Sequence, residues 1–150
     1  MEPKIVSKPA FTVAGIKYHG KNEQGEIPRL WEAFGPRMQE FRNVVNPEVC
    51  FGVCDNMDEE TGAFDYVAAV EVADDTDLPE GMVAWAIPAQ TYAVFTCTLP
   101  TIGQAYEHIY QTWLPASEYK RACGPELELY DADFDPRQPE SKMYLYIPVE

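Results

Sequence analysis

A five-residue segment, Glu126–Tyr130, alternates carboxylate or aromatic side chains with leucines. Because the side chains of a strand point to alternate faces, Glu126, Glu128 and Tyr130 are predicted to share one face and the leucines the other. If the leucines pack under helices, the opposite face carries an acid beside an aromatic ring. Aromatic rings stack on a lipophilic organic cation, and one carboxylate neutralises its charge. The segment therefore predicts a binding site for such a ligand, with Glu128 as its anion.

Four further residues are candidates for the same site. Tyr144 and Tyr146 lie on the next predicted strand and are expected to add rings on the face of the acid. Trp85, in the crossover between two halves of the chain, is interpreted either as a ring over the site or as linker packing. Glu71 shares the predicted cleft face by its position in its strand, or is a surface acid at the strand end. The strand pattern alone favours the simpler interpretation of Glu128 as an exposed residue, since glutamate is mostly exposed in proteins.

The charge of the chain argues against direct contact with nucleic acid. Its 150 residues include 25 acidic and 11 basic side chains, which gives a formal net charge of -14. Nucleic-acid binding needs lysines and arginines that displace counterions from phosphates. An acidic surface instead raises the local concentration of cations. No direct nucleic-acid partner is expected.

Neither a membrane, a metal nor a cofactor is expected as a partner. No apolar run is long enough to span a bilayer, and the start of the chain lacks the regions of a signal peptide, so a cytoplasmic location is predicted. The four cysteines form no Cys-x-x-Cys motif and only two histidines are present, which makes a zinc site improbable. We interpret the cysteines as reduced, partly buried thiols.

The order of predicted elements repeats once along the chain. Each half reads as strand, helix, strand, strand, with the halves at about 1–75 and 82–150. The first helix, from Ile27, is expected to kink or break at Gly35-Pro36, and Pro115 is expected to help end the second. The predicted strands cover 11–18, 49–53, 64–72, 83–87, 91–98, 126–130 and 143–149.

Two such units predict an α+β fold made of duplicated βαββ units. They form an antiparallel sheet with helices on one face and a central ligand cleft. The face without helices is expected to form that cleft near a pseudo-twofold axis. Superposing the halves places Gly52 opposite Glu128 and Ala69 opposite Tyr146, so that small residues leave room for a ligand.

Sequence motifs along the whole chain resemble the GyrI-like effector-binding family, which also supplies the ligand domain of AraC-type and MerR-type drug-sensing regulators. The matching segments are 11–15, 26–27, 30–34, 51–53, 64–72, 87–95, 113–117, 125–130 and 146–149. Their order and spacing carry the resemblance more than any single segment does. The second half departs from the family near Gln90, where a glycine is usual.

This resemblance implies the duplicated βαββ fold and a central ligand cleft. It also implies that a glutamate on the penultimate strand meets lipophilic cations among aromatic rings, and Glu128 matches that position. The resemblance runs from end to end, so a single effector-binding domain over 1–150 is expected; the expected absence of a DNA-binding domain is where the chain departs from the regulators. The chain is then expected to act alone, as a homodimer, or as the effector part beside a separate regulator chain.

Three functions follow from the resemblance and stay open at this point. The first is drug sensing or sequestration through the binding of small cationic molecules. The second is hydrolysis of electrophilic, cyclopropane-bearing compounds, because some free-standing relatives are hydrolases of that kind. The third is inhibition of a protein partner, as some GyrI-like proteins are described as doing with DNA gyrase.

Overall fold

A computed structural model describes residues 2–150, and its main feature is one antiparallel sheet of eight strands. The strands are β1 Lys4–Lys8, β2 Phe11–Gly20, β3 Cys50–Asp55, β4 Phe64–Val72, β5 Val83–Ile87, β6 Gln90–Thr98, β7 Glu126–Tyr130 and β8 Lys142–Pro148. Their order across the sheet is β1-β6-β8-β7-β3-β4-β2-β5. The predicted α+β class with duplicated strand and helix order is confirmed.

The two halves meet at the centre of the sheet, where β3 of the first half pairs with β7 of the second. This ladder places Gly52 directly opposite Glu128, as the superposition of the halves predicts. The central position matters because both strands are covered by neighbours on either side. We call this central ladder of β3 and β7 the seam. A side chain on the helix-bearing face of the seam lies between the helices of the two halves.

The edges of the sheet exchange strands between the halves. The leading strand β1 pairs with β6 of the second half, and the leading strand β5 pairs with β2 of the first. Lys8 lies opposite Gln90 in one ladder, and Phe11 lies opposite Ile87 in the other. Both pairs lie at strand ends, beside the short connections between β1 and β2 and between β5 and β6. Strand β1 was not among the predicted elements.

Both helices pack on the same face of the sheet, as predicted. Helix α1 spans Glu26–Phe34 and continues as a 3₁₀-helical segment, Gly35–Glu40, so the break expected at Gly35-Pro36 is present. Helix α2 spans Ile102–His108 and passes through a π-helical turn, Ile109–Trp113, into the short helix α3, Leu114–Ala116.

Three apolar clusters stabilise this arrangement. Phe34 of α1 packs with Ala68 and Val70 of β4, and Ile109 of the second helical unit packs with Phe95 and Leu145. The third cluster lies on the face without helices and takes buried side chains from six strands, namely Val13, Phe51, Val53, Val67, Ala69, Ile87, Tyr92 and Leu127. The curved sheet therefore encloses a hydrophobic core on that face.

This inner core corrects the expected position of the cleft. Leu127 is fully buried in it and Leu129 packs against it, so the leucines of β7 point away from the helices. Glu128 consequently lies on the face that carries α1 and α2. The alternation along β7 was predicted, but the assignment of its faces was the wrong way round.

The helices of the described residues are too short and too polar to cross a membrane.

Candidate functional site

The buried carboxylate of Glu128 is the centre of the candidate site. Glu128 is 8 % exposed and is the one charged residue in the buried class among the described residues. Its Oε1 atom accepts a hydrogen bond from the Tyr66 hydroxyl at 2.7 Å and another from the Tyr130 hydroxyl at 2.8 Å. Tyr130 shares its strand and face, as predicted. Tyr66 comes from β4, which is separated from β7 by one strand.

An indole group orders the hydroxyl of Tyr66. Trp31 of α1 donates from Nε1 to the Tyr66 oxygen at 2.9 Å, and Tyr66 in turn donates to Glu128. The three groups form a chain of hydrogen bonds in which each donor has one acceptor. These hydrogen bonds connect helix α1 to the carboxylate at the seam, so a movement of α1 changes the surroundings of Glu128.

The absence of a side chain at Gly52 permits this contact. A Cβ added at that position would collide with the Tyr66 hydroxyl and would lie 2.5 Å from Oε1 of Glu128. Real Cβ atoms do not approach other atoms so closely. Tyr66 therefore reaches across β3 to the carboxylate only because position 52 is glycine.

Aromatic rings from both halves cover the carboxylate. The ring of Trp31 packs edge-on against Tyr130 with centroids 5.5 Å apart, and Phe134 packs on the other side of Tyr130 at 4.8 Å. Trp31 and Tyr106 occupy equivalent places in α1 and α2, since each comes four residues after an isoleucine that packs against the sheet. The site is thus an acid roofed by rings.

Burial sets the ionisation of these groups. Loss of contact with water raises the pKa of Glu128, and the two tyrosine hydrogen bonds offset part of this rise. Burial and the nearby Glu128 carboxylate raise the pKa values of Tyr66, Tyr106 and Tyr130. The three tyrosines therefore stay protonated in the physiological range and serve as hydrogen-bond donors, while Glu128 has no counter-ion among residues 2–150.

A second acid on the same face is already partnered. The Tyr110 hydroxyl donates to Oε2 of Glu126, and Arg121 Nε lies 3.5 Å from the same oxygen. Burial, followed by the charges of Glu128 and Asp55, raises the pKa of Glu126 to about 7. Glu126 thus attaches the π-helical turn to β7, beside the site and not at its centre.

The sheet register separates two predicted residues from the acid. Leu127 lies opposite Tyr146, and Leu129 lies opposite Tyr144, so both tyrosines of β8 share the face of the leucines. Tyr146 packs against the inner core, with its ring 5.5 Å from that of Tyr92. The expectation that these tyrosines lie on the face of Glu128 is wrong.

Trp85 and Glu71 also lie away from Glu128. Trp85 packs against the inner core from β5 and lines a surface depression of about 490 Å³. Glu71 is half-buried opposite Val13, whose side chain belongs to that same core. Of the six residues predicted for the ligand site, the structure brings together Glu128 and Tyr130.

The candidates drawn from the sequence did not include Tyr66, Tyr106 or Trp31. Trp31 does lie on the apolar stripe of its helix, so spacing alone gave no separate signal for its indole nitrogen. One signal for Tyr66 was available, since it is the one tyrosine in β4. Its side chain lies on the other face of the sheet from Val67, and β4 lies two strands from β7, which carries the acid. Pairing of β3 with both β4 and β7 was needed to use it.

The seam is covered in this structure. Depressions of about 620 and 490 Å³ are present on the surface, and neither is lined by Glu128 or Tyr130. The carboxylate of Glu128 is thus largely closed to solvent. Within residues 2–150, no group of three or more His, Cys, Asp or Glu side chains is arranged to hold a metal ion.

The fold and the site together define an effector-binding domain, a class of domain that binds small molecules. A family model described as "Cass2: Integron-associated effector binding protein" matches residues 4–149. The chain belongs to this family, and the resemblance to GyrI-like effector-binding domains is confirmed.

Individual relatives agree with this placement. The transcriptional regulator BrlR of Pseudomonas aeruginosa is 40 % identical over 152 residues, covering 99 % of this chain and 56 % of BrlR. The chain thus spans a little over half the length of that regulator.

Two solved structures share the fold. SAV2435, solved with bound tetraphenylphosphonium, superposes with a TM-score of 0.78 at 19 % identity over 100 % of this chain and 94 % of its own. An integron cassette protein from the mobile metagenome of Vibrio cholerae gives a TM-score of 0.63 at 20 % identity, covering 99 % and 96 %.

Proposed function

We propose that this domain binds small lipophilic organic cations between α1 and α2, with Glu128 as the counter-ion. The observation that carries the proposal is a buried carboxylate that has two hydroxyl donors and no cationic partner among the described residues. A charge in such a place is costly unless it is paired. A ligand that supplies the missing positive charge removes this cost and gains affinity from doing so.

The surrounding rings select for apolar bulk in the same ligand. Trp31, Tyr66, Tyr106 and Tyr130 supply rings around the acid, and cation–π contacts with ring faces in desolvated sites stabilise by roughly 2 kcal/mol. SAV2435 was solved with tetraphenylphosphonium, a cation surrounded by four rings. That ligand has the charge and the apolar surface that this site is suited to receive.

Binding requires the roof of the site to open. Glu128 is 8 % exposed, and a ligand the size of tetraphenylphosphonium needs several rings to move apart. Because Trp31 is hydrogen-bonded to Tyr66, displacement of the indole also releases Tyr66 from one of its partners. Ligand occupancy is thereby linked to the position of α1, which suits a sensor.

The biological role follows from this coupling. In a regulator such as BrlR, a domain of this kind makes up about half of the chain. We propose that residues 1–150 form one effector-binding domain that senses or sequesters cationic drugs, either alone or beside a separate regulator chain. The proposal also allows a homodimer.

A thermal-shift and calorimetric comparison tests the proposal. Tetraphenylphosphonium and its neutral analogue triphenylphosphine oxide are titrated into the unchanged protein, Glu128→Gln and Glu71→Gln. We expect the cation to stabilise the unchanged protein and the Glu71 variant, and to lose roughly tenfold or more in affinity for Glu128→Gln. Equal weakening of the neutral compound by Glu128→Gln would contradict the charge role.

A further inference from the structure

The two oxygens of Glu128 have different surroundings. Both tyrosine hydroxyls donate to Oε1, at 2.7 and 2.8 Å. Trp31 donates to the oxygen of Tyr66, so the hydroxyl proton of Tyr66 points toward Glu128. A carboxylate oxygen has two lone pairs that accept hydrogen bonds. Oε1 is therefore saturated by two donors whose directions are fixed by their own packing.

The other oxygen, Oε2, receives no hydrogen bond from a protein donor within residues 2–150. It is also not one of the fully buried polar atoms that lack a partner, which in the described chain are Asn43 Oδ1, Tyr92 OH and His108 Nε2. The small exposure of Glu128 therefore includes Oε2. This atom is the point at which an incoming group meets the carboxylate.

Resting on the proposed function, we infer that the site prefers cations that carry an N–H donor, such as protonated amines and amidines, to quaternary cations of the same shape. An N–H group of the ligand completes the hydrogen bonding of Oε2. A quaternary ammonium or phosphonium group supplies the charge and leaves the lone pairs of Oε2 unused. This difference counts once the bound ligand shields Oε2 from water, because an unpaired acceptor away from water is costly.

The rings alone do not produce this preference. Cation–π attraction depends on charge and apolar contact, which the two kinds of cation share. The net charge of -14 likewise attracts both kinds equally. Selectivity for the N–H group must therefore come from an acceptor at the site, and the structure provides one in Oε2.

A matched pair of fluorescent dyes tests the inference. Acridine orange is protonated on its ring nitrogen at neutral pH, and its N10-methyl derivative carries the same charge without that N–H. Both are titrated at pH 7 into the unchanged protein, Glu128→Gln and Glu71→Gln, beside tetraphenylphosphonium. Glutamine keeps an acceptor for the two tyrosines and replaces Oε2 by an NH₂ group, so the steric difference between the dyes persists in the variant.

We expect the unchanged protein and Glu71→Gln to bind the N–H dye about tenfold more tightly, the size of one charge-assisted hydrogen bond exchanged with water. In Glu128→Gln both dyes bind more weakly and the ratio falls to about one. Equal binding of the dyes by the unchanged protein, or a ratio that survives in Glu128→Gln, would overturn the inference and leave cation binding intact. Failure of all three cations to bind would instead reject the proposed function.

Discussion

At the scale of single residues, the burial of ionised Glu128 lowers the stability of the free protein. The proposed function assigns the compensating positive charge to the ligand. Burial raises the pKa of Glu128, and no cation among the described residues compensates. Ionised Glu128 therefore lowers the stability of the ligand-free fold, and a cation bound as we propose would restore it. Such a trade of stability against function is common where a site needs a desolvated charge.

Replacing Glu128 by glutamine is expected to raise the melting temperature of the free protein by a few degrees at pH 7. The pKa of Glu128 is higher in the folded than in the unfolded chain, so the folded state holds the proton more tightly. The stability of the unchanged protein therefore falls as the pH rises above the unfolded value of about 4.3.

The measurement is a series of melting curves for both proteins from pH 4.5 to 8. The advantage of Glu128→Gln should grow with pH and vanish at the acidic end. A variant that is less stable than the unchanged protein at pH 8 would show that the ionised carboxylate is stabilised by its tyrosines more than it is penalised by burial.

Gly52→Ala tests whether the close approach of Tyr66 to Glu128 matters. The added methyl group collides with the Tyr66 hydroxyl and Oε1, and we expect a loss of about 1–3 kcal/mol in the free energy of unfolding, typical of overpacked cores. Urea denaturation measures it. Gly103→Ala is the matched control, since a Cβ there meets nothing within 4 Å and should stabilise α2 by up to about 1 kcal/mol.

At the scale of elements, Glu126, an acid with a raised pKa, holds the π-helical turn after α2 to the sheet. Tyr110 lies on the π-helical turn and donates to Glu126 of β7. Burial and the neighbouring carboxylates raise the pKa of Glu126 to about 7, although Arg121 Nε lies 3.5 Å from its Oε2. Protonation of Glu126 is thus expected within the neutral range.

Glu126→Gln is expected to be more stable than the unchanged protein at pH 8 and equally stable near pH 5. The folded pKa lies above the unfolded one, so stability from the protonated form is lost between these pH values, by up to about 3 kcal/mol before the Arg121 contact is counted. Chemical denaturation at the two pH values measures this. Tyr110→Phe keeps the carboxyl and should keep the pH dependence, whereas destabilisation of Glu126→Gln at pH 8 would mean that the ion pair dominates.

The elements were largely readable from the sequence. Helical spacing located α1 and its break before Pro36, and alternation located β4 and β7 with their observed bounds. These signals are local, because each depends on the period of one segment. The π-helical turn has no such signal, and β1 is a short edge strand with a lysine at each end.

The site was only half readable, for a reason that follows from strand geometry. Alternation tells which side chains of a strand share a face, but it does not say which face receives the helices. Glu128 and Tyr130 could be grouped because they lie on one strand. Tyr146 was assigned to the wrong face because its position depends on pairing with Leu127, which is a contact between strands.

At the scale of the whole molecule, the excess of acidic groups repels itself. With a formal charge of -14, added salt should screen this repulsion and raise the melting temperature by a few degrees between 0.05 and 0.5 M NaCl.

The same salt should slow association of a cation while changing its dissociation rate little, since Glu128 is shielded from solvent. Stopped-flow fluorescence measures both rates, and a dissociation rate that changes as much as the association rate would contradict a buried counter-ion.

The exchange of edge strands between the halves has a consequence for how the chain folds. Strand β1 completes the second half and β5 completes the first, although each is joined by a short connection to the other half. Contacts between residues this far apart in the chain close late and slow folding. A fragment that ends in the linker 74–81 lacks β5, the outer strand of its own half. It carries β1, the outer strand of the other half. Two separate halves are therefore expected to be unfolded apart and to assemble when mixed.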